Sequence, residues 1–232
     1  MKKFLLIMVV LLSVQLNAQI DNTMYGLYRI LNPTSVQLAN IDPLTGIITP
    51  IGSANTLSTT INSTGAALNP YNMSYTYQDE DSWLSVDLQN GSVLNDVTVT
   101  LPNTSGDFNN FRFNTADTNM YGLYSQIQYD PLTGAYTGDM RLATCDLTTG
   151  NVSIISSSSI AQSYTMTGSA IDPYLMVYYF ESEGKFVGLD LYNGQIYSEP
   201  LITLMGNGIT FDNFAYSCAD TTMYGLIMEN GV

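Results

Sequence analysis

Beyond its first eighteen residues the chain alternates short apolar runs with polar punctuation. Tyr, Val, Ile, Thr and Phe crowd into the runs, while Gly, Pro, Asn, Asp and Ser separate them. No stretch there combines a sustained helical period with capping residues. The pattern therefore predicts strands throughout, because β-branched and aromatic side chains suit a pleated, half-buried surface.

The strands recur in a fixed order. Met-Tyr-Gly-Leu stands at Met24–Leu27, Met120–Leu123 and Met223–Leu226, each time with an Asp three residues earlier (Asp21, Asp117, Asp220). The last two copies extend back to Phe108 and Phe211, 103 positions apart. A second motif begins Thr-Gly at Thr64 and again at Thr167, with the same offset of 103, and continues through Asn-Pro-Tyr or Asp-Pro-Tyr. Two interleaved motifs with one offset imply a period built of two units, each in the length range of a propeller blade. Each unit closes on a turn of the form Asp-x-x-x-Gly, at Asp42/Gly46, Asp87/Gly91, Asp146/Gly150 and Asp190/Gly194. An Asp side chain caps backbone N–H groups two residues on, and Gly supplies positive φ. An extra copy at Asp130/Gly134 lengthens the third unit. Four strands per unit partition the chain at about 21–53, 54–103, 104–157 and 158–204, with a fifth unit from about 205.

The N-terminus follows another pattern. Lys2 and Lys3 precede an apolar run from Phe4 to Leu12, then Ser13 to Ala18 end in small residues. This predicts a signal peptide at 1–18 and a propeller repeat domain at 19–232. The apolar run is shorter than the roughly 20 residues a bilayer span needs, so no membrane span is expected. The expected location is secreted, periplasmic or cell-surface.

Composition narrows the chemistry. The 232 residues carry 6 Lys and Arg against 20 Asp and Glu, a formal charge of −14, and no His. A chain so short of cations is not expected to bind nucleic acid, whose phosphates need clustered Lys and Arg. Without His there is no Ser-His-Asp triad and no His-ligated zinc. Cys145 and Cys218 are the two cysteines, and spacing alone does not decide whether they pair.

Repeated units of this size, with a Tyr-Gly-Leu strand and a later Asp-x-x-x-Gly hairpin, resemble secreted bacterial β-propellers of the YVTN/NHL-type or quinoprotein-like repeats. The resemblance implies an all-β propeller of four-stranded blades. Three units of one type and two of the other, with the last ending at Val232, read as a truncated six-bladed ring, the alternative being an intact four- or five-bladed one.

Propeller geometry then suggests a binding rim. Loops between strands two and three emerge on one side, where unit-specific residues gather. The candidates are Asp79, Glu80, Asp81, Trp83, Asp130, Tyr136, Asp139, Glu181 and Glu183. No cofactor is expected; oxygen-only acids make Ca²⁺ the alternative. Asn69, Asp172, Asp87 and Asp190 repeat in pairs, as turn residues do. The favoured function is a non-catalytic binding or scaffold propeller with a protein or carbohydrate ligand. The alternative is a hydrolase or lactonase-like enzyme dependent on a divalent cation.

Overall fold

The computed structural model describes residues 24–31, 34–52, 65–130, 135–160, 168–182, 184–203 and 209–229. The expected signal peptide at 1–18, the join at 53–64, Gly134 and Glu183 lie outside the described residues. The described chain is all-β, with no helix.

Five antiparallel sheets follow one another along the chain. The first contains β1 (Met24–Leu31), β2 (Thr34–Ile41) and β3 (Ile48–Pro50). The second contains β4 (Ala66–Asn69), β5 (Ser74–Asp79), β6 (Ser82–Asp87) and β7 (Val93–Thr98). The third contains β8 (Gly106–Phe113), β9 (Met120–Asp130), β10 (Ala135–Cys145) and β11 (Val152–Ile154). The fourth contains β12 (Ser169–Asp172), β13 (Val177–Ser182), β14 (Lys185–Asp190) and β15 (Ile196–Ser198), and the fifth pairs β16 (Ile209–Ser217) with β17 (Thr222–Glu229). Within each, sequential strands are neighbours, the meander of a propeller blade. The first strands of adjacent blades touch, β4 on β8, β8 on β12 and β12 on β16. The fold is a β-propeller.

The cores lie between blades. Leu38, Tyr77, Leu84, Val86 and Leu88 join the first two. Trp83, Phe108, Phe111, Met120 and Tyr124 join the second and third, and Tyr121, Leu123, Leu142, Tyr178, Phe180 and Leu189 join the third and fourth. Met-Tyr-Gly-Leu is a continuous apolar run for this reason. On β9, Met120 and Tyr124 face the preceding blade, while Tyr121 and Leu123 face the following one. Gly122 between them has no room for a side chain, since a Cβ would sit 2.7 Å from Phe108 Cζ and 2.8 Å from the Asn109 carbonyl oxygen.

The Asp-x-x-x-Gly turns form as their residues require. Asp42, Asp87, Asp146 and Asp190 each accept through Oδ1 from the N–H two residues on, at 2.7–2.8 Å. The matching glycines have φ of 66–75°. These turns also lock blade to blade: Gly91 abuts the Ile51 carbonyl, Gly150 the Thr98 carbonyl and Gly194 Ser156. Gly46, in the first described blade, has nothing within 4 Å of where a Cβ would lie. Cys145 is buried and Cys218 exposed, and both are free thiols.

Candidate functional site

The acids named from sequence are spread over three blades. Asp79, Glu80 and Asp81 form the β5–β6 turn, with Glu80 at φ 50° and its carbonyl accepting from Gln78 Nε2. Asp139 chelates its neighbour: Arg141 Nε donates to both carboxylate oxygens at 3.0 and 2.9 Å, and Nη2 lies 2.8 Å from Oδ2. Glu181 is buried, and its Oε1 accepts from the Gly184 N–H at 2.7 Å, tying the β13–β14 turn. Asp130 and Tyr136 occupy β9 and β10, but their side chains, like Glu183, are outside the described part. Trp83 is not at the rim. It is fully buried, edge-on to Phe108 at 5.6 Å and Phe111 at 4.8 Å, and leaves no face for a ligand. Strand alternation from Ser82 turns Trp83 into the inter-blade core. Among the described residues, no group of three or more His, Cys, Asp or Glu could hold a metal ion. Asn69, Asp87, Asp172 and Asp190 all accept from N–H groups of their own turns.

A different constellation gathers on the opposite rim, where strands one and two are joined. Three inner strands, β8, β12 and β16, end there around a cleft of about 230 Å³. Arg112, Phe113, Asn114 and Thr115 line it from the third blade. Ser169, Ala170, Ile171 and Pro173 line it from the fourth, and Ala215, Tyr216 and Cys218 from the fifth.

Arg112 is held by backbone alone. Its Nε donates to the Ser169 carbonyl oxygen at 2.8 Å, and Nη1 donates to the carbonyls of Ala66 at 3.3 Å and Phe111 at 2.9 Å. Ala66 and Ser169 occupy the same position of the repeat, so one guanidinium bridges equivalent carbonyls of the two flanking blades. A β-bulge sets this up. β8 slips register between Asn109 and Arg112, Asn110 takes φ 52°, and Ser169 Oγ and Tyr178 OH both donate to the Asn110 carbonyl. Bulges re-aim side chains in this way.

The electrostatics are one-sided. Among the described residues Arg112 has no carboxylate partner, and the ion pairs are Arg141–Asp139 and Lys185–Glu199. Burial pushes its pKa down, opposed by the nearby Tyr178 and Tyr75 hydroxyls. A guanidinium stays charged under such pressure. At the far side of the cleft, burial and then Asp172, which also accepts a hydrogen bond from the phenol, push Tyr216 up to about 12. Asn114 is committed to structure: its Oδ1 accepts from the Ala116 N–H at 3.1 Å and its Nδ2 reaches Met176 Sδ at 3.5 Å.

The candidate residues read from the sequence lie on the other rim, and Arg112 is not among them. A signal was present: the repeat places Ala215 where its twin has Arg112, and Arg112 is one of only four Lys and Arg residues after residue 18.

No protein-family model matches the chain, and no curated protein matches it. Solved structures align with it at low similarity. A eukaryotic initiation factor aligns at 13% identity and TM-score 0.42, over 85% of this chain and 43% of that one. A puromycin-hydrolyzing peptidase of Mycobacterium tuberculosis aligns at 9% identity and TM-score 0.48, over 84% of this chain and 32% of that one. The WD40 domain of SCAP from fission yeast aligns at 9% identity and TM-score 0.33, over 84% of this chain and 60% of that one. This chain thus spans between about a third and three fifths of the length of each.

Proposed function

We propose that this chain is a non-catalytic binding propeller of a bacterium, exported and active in the periplasm or at the cell surface, that holds its ligand at the cleft between β8, β12 and β16. The observation that supports it most is the convergence of three rigidly packed inner strands on one concavity containing a charged donor and aliphatic walls. Ligand sites are concave, mostly apolar and fitted with a few placed polar groups. The Lys2–Ala18 leader supports export.

The test is an amide chemical-shift screen of the mature protein against small sugars and short peptides. Shifts clustered at 112–115, 169–173 and 215–218 are the expected result. Shifts confined to the β5–β6 and β13–β14 turns would move the site to the other rim and overturn the placement. The cation-dependent hydrolase reading is separated by melting in Ca²⁺ against chelator, since a specific ion raises the midpoint by linkage. Export is checked by N-terminal sequencing of extracytoplasmic product, which should begin near Gln19.

A further inference from the structure

We propose that the cleft is a receptor for an organic carboxylate, with Arg112 Nη2 as the anchor. The inference rests on the reading of this cleft as a ligand site and adds its chemistry. A guanidinium has five N–H donors. Three of them are spent on the carbonyls of Ser169, Ala66 and Phe111 through Nε and Nη1. The two on Nη2 have no partner among the described residues, and Arg112 lines the cleft. The bonds already made fix the guanidinium between two blades, so the remaining edge is pre-organised, which lowers the cost of binding. A partly buried cation without a counter-ion among the described residues favours an anion, because a charge-assisted hydrogen bond is stronger than a neutral one.

The rest of the cleft selects among anions. Among the described residues it is lined by one cation and no second, which matches a monovalent carboxylate better than a phosphate dianion. Asp172 accepts from the Tyr174 and Leu175 N–H groups and from the Tyr216 hydroxyl, so its carboxylate is held by its own turn and by the phenol of the cleft. Phe113, Ile171, Pro173 and Ala215 give apolar walls for an organic body. The volume of about 230 Å³ accommodates a single ring.

Sodium benzoate is the probe, with benzamide as the neutral isostere and inorganic phosphate as the anion without an apolar body. Calorimetry should give one benzoate per chain, weaker phosphate and no benzamide. At ten times the dissociation constant, benzoate should raise the melting midpoint by roughly 3–6 °C. Arg112→Gln should lose benzoate binding. Because Arg112 also ties three strands, Ala215→Glu is the second variant. It changes an exposed residue of β16 and places a tethered carboxylate across the cleft from Arg112. It should fold and weaken benzoate by roughly tenfold or more. Benzoate bound equally by Ala215→Glu overturns the proposal. Benzamide binding as well as benzoate overturns the anion assignment while leaving the cleft a ligand site. Phosphate binding more tightly than benzoate overturns the carboxylate class. Neither benzoate nor phosphate producing heat or a midpoint shift, with the fold intact, overturns the whole inference.

Discussion

Substituting the turn glycines one at a time separates a local backbone cost from a blade-to-blade one. Gly46 and Gly150 occupy the same turn position, with φ of 69° and 75°. An alanine forced into that left-handed region costs roughly 1–2 kcal/mol at either site. The surroundings differ. A Cβ on Gly46 meets nothing within 4 Å, whereas one on Gly150 overlaps the Thr98 carbonyl oxygen and sits 2.9 Å from Val97 Cγ1. Relieving that overlap parts the second blade from the third, where the Thr100 N–H donates to the Gly150 carbonyl and the Val152 N–H to the Thr100 carbonyl, both at 2.9 Å. Weakening two such bonds adds about 1–3 kcal/mol, given a net ~0.5–1.5 kcal/mol for each. Gly150→Ala should therefore lose about 2 kcal/mol more than Gly46→Ala. For a chain of this length that is roughly 4–8 °C in melting midpoint. Thermal melting by circular dichroism of the two variants beside the parent is sufficient. Equal midpoints would show that the turn glycines serve only their own hairpins and would refute the inter-blade role.

Other expectations follow from the same contacts. Gly122→Ala should destabilise markedly, while Gly26→Ala, whose Cβ would meet Ile41 Cδ1 at an ordinary 3.6 Å, should not; chemical denaturation of both compares them. Hydrogen bonds from Thr45 and Leu44 to Asp42, and from Thr148 and Thr149 to Asp146, hold both carboxyls below their ordinary value. Their folded pKa values are depressed, so this stability is present above the unfolded value of about 3.9 and is lost as pH falls through the folded ones. Asp146→Asn should flatten part of the midpoint-versus-pH curve below about pH 4. Burial pushes the Cys145 thiol up to about 12, so a thiol reagent should label Cys218 alone in the native protein and both cysteines after unfolding; immediate labelling of Cys145 would contradict its burial. Among the described residues β17 pairs only with β16, so its outward amides in Leu226–Met228 should exchange faster than those of Val86–Leu88.

Much of the scaffold was legible because its signals are local. The Asp-x-x-x-Gly turn needs only a capping carboxylate and one positive φ, both carried by residues five positions wide. The equal offsets of the two motifs then stacked those hairpins into like units. The candidate cleft was less legible because it is made between units. Trp83 follows a polar turn in sequence, yet pleat alternation sends it between Phe108 and Phe111. Glu181 and Asp139 look like free rim acids in a string of letters, but one is spent on the Gly184 N–H and the other on Arg141. Arg112 is brought to its place by a bulge at Asn110 and by carbonyls 46 and 57 residues away. No local pattern encodes such a meeting. The departure of Ala215 from Arg112 in the repeat was the trace it left.

The most direct measurement is a crystal structure of the mature protein grown with saturating benzoate. One molecule should occupy the cleft, its carboxylate within hydrogen-bonding distance of Arg112 Nη2 and its ring against Phe113, Ile171 and Pro173. Benzoate bound instead beside Asp79–Asp81 or Glu181, or a cleft without benzoate at a concentration that saturates the protein in solution, would contradict it.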